Sequence, residues 1–454
     1  MGGSAFSSGS NPLSTPRMSP HVYRHVLDTC HAKLRELFTV VASPIEGPAK
    51  KDYGDIDILV AWEKDVVLPS SEADGISSSE LGHYPLEFAA CLLGAKHVIK
   101  ESPTAAHLAI PWPEELRSEG PSDDGPRYIQ VDLHVYDSIE HLNWMLFKNA
   151  HGDLWNVLGS TIRPYGLTVD EVGLYMRIPE IEHFNKKQAK VLLTTDPFEI
   201  LRFLGLRYES AQWERPFGSP EELMEYAATC RFLWVRPEQD NNSDNSATEA
   251  GEGGDFDKNK MKSTDRRRAK SRELFRRWYE EFIPACRAAG RFATPRATRD
   301  SVRGEAFETF PGTRQVYQNR LVEWRKERQR YGLWREVIKA SIPQRREGDE
   351  EEEDEEVEKR HLRSLAAKAL KKIVMSDDYS LGIRPPIPLR NDDGFYIEER
   401  VEQFVVDNWR QIGQAAWEEN QKKSTEKLAE QTAKSKSKVA EGNLAERGKA
   451  EDEN

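Results

Sequence analysis

The sequence predicts a mixed α/β chain, a sheet flanked by helices and followed by a mostly helical C-terminal region. Three observations carry that expectation. Residues 53–62 and 128–136 alternate apolar and polar side chains at the two-residue period of a strand. Residues 21–37 place Val22, His25, Val26, Leu34 and Leu37 near helical spacing. Beyond residue 262, segments of helical character recur to the end of the chain.

Taken in order, residues 1–20 are small and polar and read as a disordered leader. After the helix at 21–37 comes a short strand at 38–42, rich in β-branched residues. Residues 43–51 hold two prolines and a glycine and form a turn, which leads into the clearest strand, 53–62. Residues 68–82 are loop-like, 86–93 suit a buried helix, and the stretches KHVIKES and AAHLAIPW supply further short elements. A turn-rich loop at 118–126 precedes the strand 128–136. Helices are expected at 139–149, 154–158 and 197–206. Another starts at Ser219, where Ser-Pro-Glu-Glu provides a cap, a first-turn proline and acids. Residues 238–262 are a low-complexity linker. Helical pieces follow at 265–289, 304–310, 314–340 and 359–375, then an amphipathic helix at 396–420 with Ile397, Val401, Phe404, Val405, Trp409 and Ile412 on one face. The tail 421–454 is charged, and helical only if something packs on it. The expected domains are therefore 21–237, a helical region 263–420 with an acidic insert at 347–358, and the tail.

Charge is unevenly spread over the 454 residues. The net charge of -12 argues against a simple nucleic-acid binder. Yet residues 263–346 hold 22 Lys and Arg against 10 Asp and Glu, and residues 347–358 hold 10 acids. A basic region followed by an acidic run either binds RNA or DNA under its neighbour's mask, or is simply two solvated surfaces. The run RRRAKSR at 266–272 is followed by Phe275, Trp278 and Tyr279. It reads as a nuclear address, a phosphate-binding patch, or a helix whose aromatics pack inward. The four cysteines, Cys30, Cys91, Cys230 and Cys286, lack C-x-x-C spacing, so neither zinc nor a redox motif is indicated. There is no signal-peptide pattern and no apolar run long enough to span a membrane, so a cytoplasmic or nuclear protein is expected. Phosphate loops of the G-x-x-x-x-G-K-[ST] kind, H-E-x-x-H and G-x-S-x-G are absent.

The chemistry lies in three acids. On a strand, residues i and i+2 share a face, so Asp55 and Asp57 project together while Ile56 and Ile58 point into the opposite layer. Two carboxylates side by side repel unless a cation lies between them, and Mg²⁺ (or Mn²⁺) prefers oxygen ligands. Asp132, flanked by Val131 and Leu133 on a second strand, would complete a two-metal site. A bare D-x-D is otherwise decoration on an exposed strand. His134, two residues from Asp132, either approaches the site or is an ordinary polar strand residue.

These runs resemble the DNA polymerase β-like nucleotidyltransferase superfamily over roughly residues 21–235. Val40-Val41-Ala42-Ser43 matches the strand and small-residue turn, Gly54-Asp55-Ile56-Asp57 the D-h-D element, and Val131-Asp132-Leu133 the later h-D-h strand. Ala42 stands where the family has glycine, and the turn lacks the family's arginines, with Lys50 and Lys51 as substitutes or as plain surface residues. The resemblance implies a nucleotidyltransferase-type mixed sheet, in which Asp55 and Asp57 bind both metals and an NTP. By the same resemblance Ser43 contacts the phosphates, and Asp132 helps activate the attacking hydroxyl. In residues 151–178, Trp155 and Asn156 fall on an aromatic-Asn pair that lines the nucleotide in family X polymerases, or Trp155 is core packing. Residues before 21 are too few for the lyase domain of a repair polymerase, so a complete one is not expected. Two functions follow: a metal-dependent transferase of nucleoside monophosphate to an unidentified acceptor, or a non-catalytic member of the fold that binds nucleic acid or protein.

Overall fold

A computed structural model of the chain describes residues 3–7, 12–64, 85–119, 125–208, 213–237, 261–343 and 353–451. The loop expected at 68–82, most of that at 118–126, the linker up to residue 260 and the acidic run up to residue 352 lie outside these. The chain divides into two compact units, Met1–Tyr317 and Gln318–Asn454. The first takes in residues 263–317, which the sequence reading groups with the helical region.

The first unit is a mixed α/β body. β1 (Phe38–Ala42), β2 (Asp55–Glu63), β3 (His97–Ser102), β4 (Ala105–Pro111) and β5 (Tyr128–Tyr136) form a five-stranded sheet in the order β1-β2-β5-β4-β3. β2 and β5 run parallel, and the other neighbours are antiparallel. A parallel pair needs a long crossover, whose described part holds helix α2 (Pro85–Leu93) and the β3–β4 hairpin. The stretches KHVIKES and AAHLAIPW thus become the two arms of one hairpin.

Alternation decides which face is core. Ile56, Ile58 and Val60, with Val131, Leu133, Leu108 and Ile110, are buried under helix α1 (Pro20–Leu37) and α2. Helix α1 starts where the Ser19 hydroxyl accepts the Val22 N–H at 3.2 Å and Pro20 takes the first position. Its buried residues Val22, Val26, Cys30 and Leu34 recur every four positions, one stripe on one side. On the other face, Leu59 and Ala61 pack against Leu142 of helix α3 (Ile139–Asn149). Asp57, one step before Leu59 on that face, is exposed.

The leader is a correction to the sequence reading. Residues 3–7 and 12–19 lie against the sheet instead of trailing free. Met18 and Tyr53 exchange backbone hydrogen bonds of 2.8 and 3.0 Å, and the Tyr128 N–H donates to Ser14 O at 2.9 Å. Phe6 and Met18 are buried. The composition holds few apolar residues, but two anchors suffice where backbone groups beside the strands still need partners.

Beyond β5, helix α4 (Leu154–Ile162) is followed by an antiparallel sheet of β6 (Leu167–Val169), β7 (Leu174–Arg177) and β8 (Lys190–Thr194). The helix Ser263–Ser271 is tied to this unit by Asp265, which Arg163 grips at 2.6 and 3.3 Å, and by Arg272, 2.6 Å from Asp153. Arg299 reaches Glu182 at 2.8 Å, and Arg231 reaches Glu305 at 2.6 Å. Arg272 and Arg299 of the basic region are therefore engaged within this unit. Phe275 and Trp278 are fully buried, so the aromatics beside the basic run pack inward.

The second unit is helical. Glu353–Ser376 and Glu398–Glu451 pack through Leu370, Ile373 and Val374 against Val401, Phe404, Val405 and Ile412. Of the face expected for the 396–420 helix, these four residues pack with Trp409 at the margin, whereas Ile397 precedes the helix, which starts at Glu398. The helix continues through the tail although residues 421–431 are exposed. Its Lys, Glu and Ala content has high helix propensity, and Lys423 pairs with Glu419 at 3.2 Å one turn back. No described helix is long and apolar enough to cross a membrane.

Candidate functional site

Register brings the three acids together. In the parallel β2–β5 ladder Asp57 lies beside Asp132, and Asp55 beside Gln130. Adjacent strands are about 4.8 Å apart, so Asp55, Asp57 and Asp132 share one patch of one face. The Asp55 carboxyl is held above the usual carboxylate range, first by burial and then by Asp132, against the opposing pull of the Gly3 N–H and Lys50. Asp57 is pushed up to about 7. The surrounding protein displaces water from its inner side although its outer edge is exposed, and Asp55 and Asp132 add repulsion.

Two of the three carboxylates, those of Asp55 and Asp132, have neighbours that local sequence does not announce. The Gly3 N–H donates to Asp55 Oδ2 at 2.9 Å. On Asp132, both the His107 ring nitrogen Nδ1 (2.7 Å) and Gln130 Nε2 (2.8 Å) meet Oδ1. Gln130 Oε1 in turn accepts the Ala5 N–H at 3.0 Å, so the N-terminal segment crosses the acidic patch at two points. His107 reaches Asp132 because β4 pairs with β5 in that register. A strand pairing across the chain leaves no trace in either strand's own pattern.

The upstream turn is braced from α1. The Ser43 hydroxyl donates to Asp57 O at 2.6 Å, and His31 Nε2 lies 2.9 Å from the same hydroxyl. His31 was not among the expected site residues. Ala42 closes β1 opposite Leu59, in ordinary strand pairing. Lys50 pairs with Glu46 and stands 5.2 Å over the Tyr53 ring, which stacks on Tyr23 at 3.8 Å. The Tyr23 hydroxyl donates to Glu46 Oε1 at 2.6 Å. The turn thus carries one bound lysine and no free arginine cluster.

Trp155 and Asn156, expected beside the nucleotide, sit on α4. Trp155 is 7% exposed, its indole N–H donates to Phe147 O at 3.1 Å, and its ring contacts Phe147 and Trp213. In this arrangement it packs and offers no open face to a base. Asn156 Nδ2 donates to Asp153 Oδ1 at 3.2 Å. His134 occupies the next position after Asp132 on the same face, half-buried and near Tyr136.

Among the described residues, no group of three or more His, Cys, Asp or Glu side chains is arranged to hold a metal ion. Asp55 Oδ2 and Asp132 Oδ1 hold N–H donors instead. The donor chemistry nevertheless fits a hard divalent cation: three carboxylates on one face, two of them with raised pKa values that a positive charge would lower.

No family model and no curated protein matches the chain. Among solved structures, the chain is similar to Leishmania infantum polymerase beta in its ternary P/T complex. The identity is 14%, the TM-score 0.29, and the match covers 42% of this chain and 74% of that one. The ternary gap complex of the same polymerase matches at 13% identity and a TM-score of 0.26, over 47% of this chain and 67% of that one. A likeness at these scores carries no inference about function.

Proposed function

We propose that the first unit is a divalent-metal-dependent nucleotidyltransferase that moves a nucleoside monophosphate from an NTP to an acceptor. The observation that carries this reading is the register of β2 on β5, which sets Asp57 beside Asp132 with Asp55 on the same face. Asp55, Asp57 and Asp132 would hold Mg²⁺ or Mn²⁺, which when bound offsets the charge that develops on the transferring phosphoryl group. Asp132 also serves the attacking hydroxyl. The Ser43 turn meets the phosphates with its backbone, since the Ser43 hydroxyl is committed to Asp57 O. RNA or DNA as acceptor is supported by the exposed Arg266, Arg267 and Lys270 of the helix Ser263–Ser271.

Asp57→Ala should abolish transfer of labelled nucleotide while the far-ultraviolet circular dichroism stays unchanged. Activity retained in that variant removes the assignment. A non-catalytic binding role is favoured by one observation, the Gly3 N–H seated on Asp55 Oδ2. Calorimetry separates the two readings: an ordered protein that takes up no Mg²⁺-NTP supports the second.

A further inference from the structure

We infer that His107 is a positioning residue for the third carboxylate, fixing Asp132 by its Oδ1 so that Oδ2 is the oxygen offered to a divalent cation. The inference rests on the cation site proposed above and deepens it.

A carboxylate on an open strand face turns freely about its last bond, and either oxygen can meet a cation. Asp132 is not free in this way. Its Oδ1 receives Nδ1 of His107 at 2.7 Å from β4 and Nε2 of Gln130 at 2.8 Å from β5 itself. Two donors arriving from different strands lock both the plane and the identity of the oxygen that faces them. The contact is also sheltered, with the His107 side chain 20% exposed and that of Asp132 13%. Gln130 is oriented from behind, because its Oε1 takes the Ala5 N–H and so turns its Nε2 toward Asp132. His107 has no such dependence on the N-terminal segment. Its place is set by the β4–β5 register, where it lies directly opposite Asp132.

A ligand already held in one orientation loses less freedom when a cation arrives. Partners of this kind change metal affinity by about 10- to 100-fold when removed. His107→Asn is the informative replacement, since its amide N–H can stand close to where Nδ1 stands. His107→Ala leaves Oδ1 with Gln130 alone.

Mn²⁺ binding followed by electron paramagnetic resonance on the full chain tests this, with thermal melting to confirm folding. The expected result is a dissociation constant raised about tenfold or more in His107→Ala, largely restored in His107→Asn, and lost in Asp132→Ala. Unchanged affinity in a folded His107→Ala overturns the inference, as does a folded His107→Asn as weak as His107→Ala. Nucleotide transfer by the wild-type chain is measured in parallel. If Mn²⁺ binding depends on His107 but no transfer occurs with any NTP, the transferase reading fails and the positioning role stands. If transfer occurs while His107→Ala binds Mn²⁺ normally, only the positioning role fails. A wild-type chain that binds no Mn²⁺ overturns both.

Discussion

Gly3 and Asp55, 52 residues apart, meet through a backbone N–H donated to Oδ2 at 2.9 Å. Gly3 adopts φ +83°, and a Cβ there would fall 2.1 Å from Gly54 O. Only glycine fits this approach. Gly3→Val should therefore expel the segment from the acidic patch. Hydrogen exchange of residues 3–7 is expected to accelerate. Mn²⁺ should bind up to about tenfold tighter, because Asp55 no longer has to release a donor first. Unaltered exchange across those residues contradicts the contact.

Asp265 anchors the helix Ser263–Ser271 through Arg163 and Arg268, and its side chain is 5% exposed. Burial alone would raise its pKa, but the two guanidinium groups more than offset this and hold it below the usual carboxylate value. A depressed acid contributes stability above its unfolded pKa and loses it as the pH falls through the folded value. Asp265→Asn should thus cost roughly 3 kcal/mol at neutral pH, with a difference that shrinks below about pH 4. Urea titrations at pH 7 and pH 3 measure it. An equal loss at both values would falsify the electrostatic account.

Trp155→Ala should cost roughly 3–5 kcal/mol, because the ring is packed among Phe147 and Trp213 and its N–H is bonded. Trp155→Phe separates packing from nucleotide contact. It should be milder in denaturation and leave Mg²⁺-NTP binding unchanged. Lost nucleotide binding in a stable Trp155→Phe variant would make Trp155 a nucleotide contact.

Cys91 is exposed, whereas Cys30, Cys230 and Cys286 are buried. Burial pushes the Cys30 and Cys230 thiols up to about 12. The thiolate is the reactive form, so iodoacetamide at pH 8 should label Cys91 first in the native protein. Peptide mapping that finds Cys30 labelled at a similar rate counts against the burial of α1.

What sequence could convey about the site depended on range. Asp55 and Asp57 share a face because of a two-residue period, visible within a single strand. The pairing of Asp57 with Asp132 was inferable only as two similar strands, since parallel register is set by packing of Ile56 and Ile58 beside Val131 and Leu133. His107 lay in a stretch too short and too apolar to stand out, and only its register against β5 gives it meaning. His31 was hidden on a helix whose apolar stripe drew attention elsewhere. The leader misled because its composition is polar, while its role lies in backbone N–H groups that every residue except proline possesses.

The parallel β2–β5 ladder also has a consequence for how the molecule assembles. Every residue from Lys64 to Arg127 must be looped out before Asp57 can stand beside Asp132. Contacts that enclose so much chain form slowly, after local helices and hairpins. The full acidic patch is thus expected to form late on the folding route. Until the sheet has closed, Asp132 is held apart from the Asp55 and Asp57 pair, which one strand alone brings together.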